Sequence, residues 1–368
     1  MRIENGSKMA AKGPIRIEVL EGRVSTRGVQ FDSDSEPLIV RAWESFILEA
    51  LEDSQISTTG NGTLTETDQD YPPQWKDFIC RCSGNITAII AGQADTGKST
   101  LCSLIINALV SDGVVHVVDG DLGQSDIGPP TTVGLGSADE QILRLSECQL
   151  TDAFFVGDIS PTTCIDVVVD ATGSMVRAAG GNGGPVIVDT CGLVTGKLGE
   201  HLTDLVVDAA EPDVLALLEI EDELDYLVDK ADQVFRLPSL PSNEKKAKAR
   251  RWFRKSRFLS SLDRARIVRY DLSEVEVSGF MSKCSRVPSD IDSPLLSGSI
   301  GLRDLTKLEG ALVGLQKGNR YRGIGVIKHV DCNRNMVAVT TACESEIDNM
   351  TVGNLRISEE GERRILSI

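Results

Sequence analysis

The chain reads as an α/β protein in three parts: a central parallel sheet covered by helices on both faces, with a small β domain before it and another after it. Three observations predict this. Between Pro72 and about residue 265, near-continuous apolar runs (86-ITAIIA-91, 114-VVHVVDGD-121, 185-PVIVD-189, 213-DVLALLEI-220, 232-DQVFRL-237) alternate with helical patterns, as strands buried on both faces do. Toward either end the pattern turns to short alternating runs rich in β-branched residues, the mark of half-buried strands. A tight glycine turn, 92-GQADTGKST-100, joins the first central strand to the helical pattern 98-KSTLCSLIINALVSDG-113.

In chain order, IRIEVLEG, RVSTRGVQF, PLIVRAW and SFILEAL are the strands of an N-terminal module over residues 1–51, with turns at Gly22 and Gly28. Residues 52–71, EDSQISTTGNGTLTETDQDY, are polar with few large apolar groups and read as a linker. The α/β domain spans 72–265. The runs IVRYDL, ALVGL, RGIGVIKHV, NMVAVTTA and VGNLRI then give a C-terminal β domain over 266–368.

The bulk numbers agree with several domains, since 368 residues exceed what one core usually serves. The formal charge is −17, from 55 acidic and 38 basic side chains, so the surface as a whole repels nucleic acid and anionic membranes; a polyanion needs a local basic patch. No apolar run approaches the ~20 residues of a membrane span, and the N-terminus lacks an apolar signal core. A cytoplasmic location is expected, nuclear in a eukaryote. The nine cysteines read as reduced buried thiols, because Cys80 and Cys82 have the wrong spacing for a zinc knuckle. His116, His201 and His329 lie far apart in sequence, which disfavours a histidine metal site or triad.

The turn fits G-x-x-x-x-G-K-[ST]. Gly92, Gln93, Ala94, Asp95, Thr96 and Gly97 form a backbone cradle whose N–H groups point at phosphate oxygens, and the helix starting near Lys98 adds its positive end. Lys98 supplies a point charge, and Ser99 offers a hydroxyl to Mg2+. A magnesium nucleotide is the expected ligand. In 117-VVDGDLGQSDIGPP-130, Asp119 and Asp121 are two apart and share a face of a strand. One can hold the magnesium water shell while the other takes a proton from an attacking hydroxyl, and Gln124 can orient the nucleophile or the γ-phosphate. Asp119 serves equally as a loop cap, and Asp126 reads as surface.

Residues 245–257, KKAKARRWFRKSR, hold eight basic side chains and no acid. On a helix Arg250, Arg254 and Arg257 share one stripe and can grip phosphate oxygens bidentately, while Trp252 and Phe253 offer stacking surface. The run reads as a lid over residues 244–260 that closes on ATP. The chain lacks a guanine-reading Asn/Thr-Lys-x-Asp motif, a transporter signature and a second early lysine in the loop, which leaves phosphoryl transfer to a bound acceptor.

The set GQADTGKST, DGDLGQSDIGPP, 157-GDISPT-162, 189-DTCGLVTG-196 and the arginine lid resembles the polynucleotide 5′-hydroxyl kinase family, which includes archaeal RNA kinases and the eukaryotic kinase subunit of the pre-mRNA cleavage factor. The flanks 20-LEGRVSTRGVQF-31 and 308-LEGALVGLQKGNRYRGIGVIKHVD-331 resemble that family's outer modules. The resemblance implies a central P-loop kinase domain. Its function would be ATP-dependent phosphorylation of 5′-OH ends of RNA, with DNA ends also open as acceptors. It implies that Lys98 and Ser99 hold ATP phosphates and Mg2+ with Thr100 close behind. Asp121 would be the base and a second magnesium residue, Gln124 would lie near the γ-phosphate, and Thr162 would clasp the acceptor. Arg254, with Arg250 or Arg257, would be the lid arginines. Leu193 stands where eukaryotic members often carry a base-stacking Trp, so it would grip a base more weakly. Two other readings stay open: a non-catalytic ATP-binding scaffold of an RNA-processing complex, and a switch ATPase.

Overall fold

The computed structural model describes residues 1–240, 247–284, 293–358 and 361–366. The N-terminal module holds β1 (Arg2–Ile3), β2 (Lys8–Lys12), β3 (Ile15–Glu21), β4 (Val24–Thr26), β5 (Val29–Phe31), β6 (Leu38–Val40), β7 (Ser45–Ala50), β8 (Ser54–Gly60) and β9 (Thr63–Glu66). These form two antiparallel sheets, ordered β1-β8-β3-β6 and β5-β4-β7-β2-β9, which close over Ile17, Leu48 and Ile56. The segment expected as a linker is therefore part of the module: β8 pairs with β3 and β9 with β2. In β8 Thr58 and Thr59 are exposed while Ser54 and Ile56 are buried, so polarity there reports a solvated strand end.

The central domain runs α1 (Pro73–Arg81), β10 (Thr87–Gly92), α2 (Lys98–Leu109), β11 (Val115–Asp119), β12 (Thr132–Ala138), β13 (Gln149–Phe155), α3 (Ile165–Gly180), β14 (Val186–Asp189), α4 (Gly196–Ala210), β15 (Val214–Glu219), β16 (Gln233–Pro238) and α5 (Ala247–Ser261). The sheet order is β13-β12-β11-β14-β10-β15-β16. The five strands expected from the sequence are parallel. The sheet is nonetheless mixed, because β12 and β13 add an antiparallel edge. Alternate residues serve opposite faces: Ile90, Val117 and Ile187 meet Leu101 and Ile105 of α2, and Ile89, Val118 and Val188 meet Val168 of α3 and Leu202 of α4. Each such fully buried side chain contributes roughly 1.5–3 kcal/mol of transfer free energy.

The C-terminal domain holds β17 (Arg266–Asp271), β18 (Glu276–Gly279), α6 (Leu302–Leu305), β19 (Ala311–Lys317), β20 (Arg320–Asp331), β21 (Met336–Thr341), β22 (Asn349–Ser358) and β23 (Gly361–Arg364). Its sheet order is β17-β21-β20-β19-β22-β18, with β23 on β22. One face packs on the central domain through Phe155 of β13 and Phe258 of α5, against Leu312, Ile324 and Leu355. A disulfide between Cys164 and Cys284, with Cα atoms 5.6 Å apart, also joins the two domains. The expectation of reduced buried thiols fails for this pair; of the free cysteines, Cys82, Cys102 and Cys343 are buried, Cys148 and Cys191 are half-buried, and Cys80 and Cys332 are exposed.

Candidate active site

The C-terminal ends of β10, β11 and β14 meet side by side, with Ile90 beside Asp189 and Asp119 beside Asp189 in register. In parallel sheets this edge is where ligands bind. Gly97 sits at φ 105° immediately before α2, a left-handed conformation that glycine adopts without strain. Asp95 takes φ 64° in the same loop. Lys98 is 8% exposed and its Nζ donates to Gly92 O at 3.0 Å and Gln93 O at 2.9 Å, so its charge is held inside the loop. Thr96 Oγ1 ties to Gln93 O at 2.8 Å, and the Gln93 amide donates to Glu223 Oε1 at 3.0 Å.

The loop borders a cavity of about 240 Å3. Ala94, Asp95, Gly97, Lys98, Ser99 and Thr100 form its floor, and Asp119, Asp121, Gln124, Asp126 and Asp189 one wall. The N-terminal module also lines it, through Arg27, Arg41, Trp43, Glu44 and Phe46, and Phe253 of α5 borders it as well. Arg27 fixes this lining: Nη1 donates to Leu143 O at 2.6 Å, Nη2 to Thr100 Oγ1 at 3.2 Å, and the guanidinium stands 4.6 Å over the Phe46 ring. The Arg144 guanidinium adds a fork onto Glu44, at 2.7 and 2.8 Å. Sequence reasoning missed this lining, because nothing near Arg27 or Trp43 in the chain signals a site.

The acids divide by role. Asp119 is 2% exposed. Its Oδ1 accepts from Asp121 N at 3.0 Å, and its Oδ2 from Asp126 N at 2.6 Å, Ile127 N at 2.9 Å and Ser125 Oγ at 3.3 Å. Asp119 is the loop cap. Burial pushes its pKa well up, and the charges of Asp189 and Asp126 add to that. Asp121 Oδ1 accepts from Gly123 N at 3.0 Å and Gln124 N at 2.9 Å, and its carboxylate borders the cavity. Ser99 Oγ donates to Asp189 Oδ2 at 2.6 Å. Burial pushes Asp189 up to about 6, against the opposing pull of Lys98 and the Ser99 hydrogen bond. Asp189 Oδ1 is buried and accepts no hydrogen bond among the described residues. The carboxylate beside Ser99 is thus Asp189, where the sequence had paired Ser99 with Asp121 for the metal. Its signal was present in DTCG, an acid ending a parallel strand next to β10.

The lid residues 245–246, and residue 244 before them, lie outside the described residues. Within α5 the arginine stripe divides among three anchors. Arg250 Nη2 pairs with Asp95 Oδ2 of the phosphate loop at 2.9 Å. Arg254 is drawn to Glu362 Oε1 of the C-terminal domain at 2.9 Å. Arg257 Nη2 donates to Asp126 O at 2.5 Å and Gly128 O at 3.0 Å. Of the three, Arg250 is the one that touches the phosphate loop; Arg254 and Arg257, expected at the phosphates, are held elsewhere. Trp252 and Phe253, expected to stack on an acceptor base, meet Trp43 with ring centroids 4.7 and 6.4 Å apart.

Thr162 is exposed on a 3-10 turn at Pro161–Thr163, its Oγ1 2.9 Å from Ser160 Oγ. Leu193 is half-buried in the loop after β14. Neither borders the cavity. The loop carrying Leu193 still abuts the phosphate loop, since a Cβ on Gly192 would come within 2.6 Å of Ala94 N.

Residues 92–261 match the family model described as the mRNA cleavage and polyadenylation factor CLP1 P-loop. A curated polyribonucleotide 5′-hydroxyl-kinase of Pyrococcus furiosus is 27% identical over 318 residues, covering 74% of this chain and 88% of the relative. One from Thermococcus kodakarensis is 27% identical over 316 residues, covering 75% and 89%. One from Methanocaldococcus jannaschii is 24% identical over 321 residues, covering 74% and 88%. Among solved structures, the wild-type Clp1p–Pcf11p complex aligns with a TM-score of 0.71 at 14% identity over 97% of each chain, a likeness of fold. Among the described residues, no helix is long and apolar enough to cross a membrane.

Proposed function

We propose that this chain, whose residues 92–261 match the CLP1 P-loop family model, is an ATP-dependent polynucleotide 5′-hydroxyl kinase that moves the γ-phosphate of ATP onto the 5′-OH end of RNA. The observation that carries the reading is the shared cavity: the phosphate loop with Lys98 and Ser99 on its floor, and Asp121 on its wall. With Asp189 beside Ser99 available for a metal, Asp121 is a second carboxylate on the same cavity, free for the proton of an acceptor hydroxyl. The names of the archaeal relatives supply the acceptor class.

In this mechanism the loop amides and Lys98 hold the terminal phosphates, and Asp121 accepts the proton of the incoming 5′-OH as it attacks phosphorus in line. The two backbone hydrogen bonds to Asp121 Oδ1 fix the carboxylate, so that Oδ2 is the atom presented to the hydroxyl. Gln124, in the same turn, orients the γ-phosphate. Arg250, steered by Asp95, brings the lid charge to the phosphates. Trp43, Phe46 and Phe253 give the nucleotide's base an apolar wall, with Arg27 seated on Phe46. Thr162 with Ser160 offers paired hydroxyls to the acceptor backbone.

The residues fit Mg2+: Ser99 Oγ and Asp189 would hold it, the orphaned Asp189 Oδ1 being the kind of buried oxygen a hard cation satisfies. Asp121 would act on the ion through bound water. When bound, the ion neutralises charge between the terminal phosphates.

The test is γ-labelled ATP with a 5′-OH oligoribonucleotide. End-labelling supports the kinase, and release of free phosphate without labelling would instead mean a switch ATPase. Tight nucleotide binding with neither product would mean a scaffold. Lys98→Ala and Asp121→Asn should each remove labelling, and persistence in both would refute the site.

A further inference from the structure

The short terminal strand β23 touches two functional elements at once. Glu362 grips Arg254 of the lid: Arg254 Nε and Nη2 both reach Glu362 Oε1 at 2.9 Å, with the Glu362 side chain 5% exposed. Two residues on, Arg364 Nη2 reaches Asp158 Oδ1 at 3.0 Å, with the Asp158 side chain 1% exposed. Residues i and i+2 project from one face of a strand, roughly 6–7 Å apart. Here that face is set by β22, since Ile357 and Leu355 are the register partners of Glu362 and Arg364, and Leu355 packs against Phe258 of α5.

Asp158 organises the segment that carries Ser160 and Thr162. Its Oδ1 also accepts from Ser160 N at 3.0 Å, and its Oδ2 from Thr163 Oγ1 at 3.2 Å and Asn354 Nδ2 at 2.6 Å. Asn354 sutures three stretches. Its backbone N donates to Gly157 O at 2.7 Å, its side-chain oxygen accepts from Leu366 N at 2.7 Å, and its carbonyl accepts from Ile365 N at 2.7 Å. From the other side, Thr131 O accepts from Val156 N at 2.9 Å and Gly157 N at 3.1 Å. Thr131 is buried and holds φ 78°, a costly conformation for a β-branched residue that persists only where neighbours enforce it. The 157–163 segment is thus set between the Asp121 turn and the C-terminal domain.

We propose that β23 is a strut that fixes the lid and the acceptor segment relative to each other, with Glu362 and Arg364 as positioning residues for phosphoryl transfer; this rests on the kinase reading for what the two elements bind. Each grip is a charge pair whose carboxylate is almost wholly buried, so removing Arg364 leaves the Asp158 charge uncompensated, and neutralising Glu362 removes the anchor of Arg254. A shift of about 1 Å between reacting groups can cost roughly 10²-fold in rate.

The experiment uses the full chain with Arg364→Ala, Arg364→Lys and Glu362→Gln, alone and with Arg364→Ala and Glu362→Gln combined. Arg364→Ala should lower kcat/KM for a 5′-OH oligoribonucleotide roughly 10²-fold, with a raised acceptor KM, while binding of a fluorescent ATP analogue is unchanged. Arg364→Lys, which keeps the charge without the fork, should restore part of the loss. Glu362→Gln should lower kcat, and the combined variant should lose less than the product of the two single losses, because the sites share one strand. An unchanged acceptor KM, or multiplicative losses, would overturn the strut. Hydrogen exchange gives a readout independent of activity: Arg364→Ala should speed exchange both in 157–163 and in α5. Exchange altered in neither, or only in 157–163, would overturn the coupling even if the chain showed no kinase activity. Absence of labelling in the unsubstituted chain would instead count against the kinase reading alone.

Discussion

Ser99 Oγ donates a 2.6 Å hydrogen bond to Asp189 Oδ2, bringing the last residue of β14 against the first turn of α2. The two residues are ninety positions apart and belong to neighbouring strand–helix units. On the kinase reading proposed above, that contact assigns metal holding to Asp189 and leaves proton acceptance to Asp121.

Asp189→Asn should therefore keep the fold but raise the Mg2+ concentration needed for half-maximal labelling by about 10–100-fold, the range for losing an oriented metal-site group. A magnesium titration of the initial rate checks this. An unchanged half-point would return the metal role to Asp121.

Gly192→Ala tests the contact between the DTCG loop and the phosphate loop. The added Cβ would lie 2.6 Å from Ala94 N and 2.7 Å from Ala94 Cα, backbone atoms that have little room to yield. Overpacking of this kind costs about 1–3 kcal/mol, and here it is directed at the nucleotide cradle. ATP affinity should fall at least tenfold by isothermal titration, roughly the value of 1.4 kcal/mol.

Docking of the N-terminal module should weaken in acid. Burial works to raise the Glu44 carboxyl, but hydrogen bonds from Arg144 and the Arg41 amide, with the charge of both arginines, outweigh it and leave its pKa lowered. A lowered acid contributes stability that is complete above its unfolded pKa of about 4.3 and is lost as pH falls through the folded value. Thermal unfolding followed from pH 7 to 3 should show Tm falling below about pH 4.3, and Glu44→Gln should flatten that part of the curve. A variant with the same acid slope would assign the loss to other groups.

Reducing the Cys164–Cys284 bridge should lower stability by about 2–4 kcal/mol, typical for a disulfide that closes a long loop; the residues are 120 apart. Denaturant unfolding with and without a reductant measures it. The Cys164→Ser variant should match the reduced protein and no longer respond to reductant.

What the sequence revealed follows the range of each signal. The five parallel strands were legible because burial on both faces makes their runs almost wholly apolar, as in 86-ITAIIA-91. β12 was not, since TVGLGSA carries two glycines and reads as turn, although it is buried nearly throughout. β8 looked like linker because its second half, STTG, faces water. The phosphate loop was legible because its chemistry is contained in nine consecutive residues. Asp189 escaped a role because only strand register brings it to Ser99. The arginine stripe showed which side chains share a helix face, but what that face meets depends on Asp95 and on Glu362, one of them 108 positions from Arg254.

The aromatic contact between Trp43 and Trp252, and the grip of Glu362 on Arg254, bracket the lid with groups drawn from the N-terminal module and the C-terminal domain. During synthesis helix α5 finds its second seat only once residue 362 has left the ribosome. On the kinase reading, a chain truncated before Glu362 would keep both the phosphate loop and the N-terminal lining of its cavity while losing the second anchor of α5.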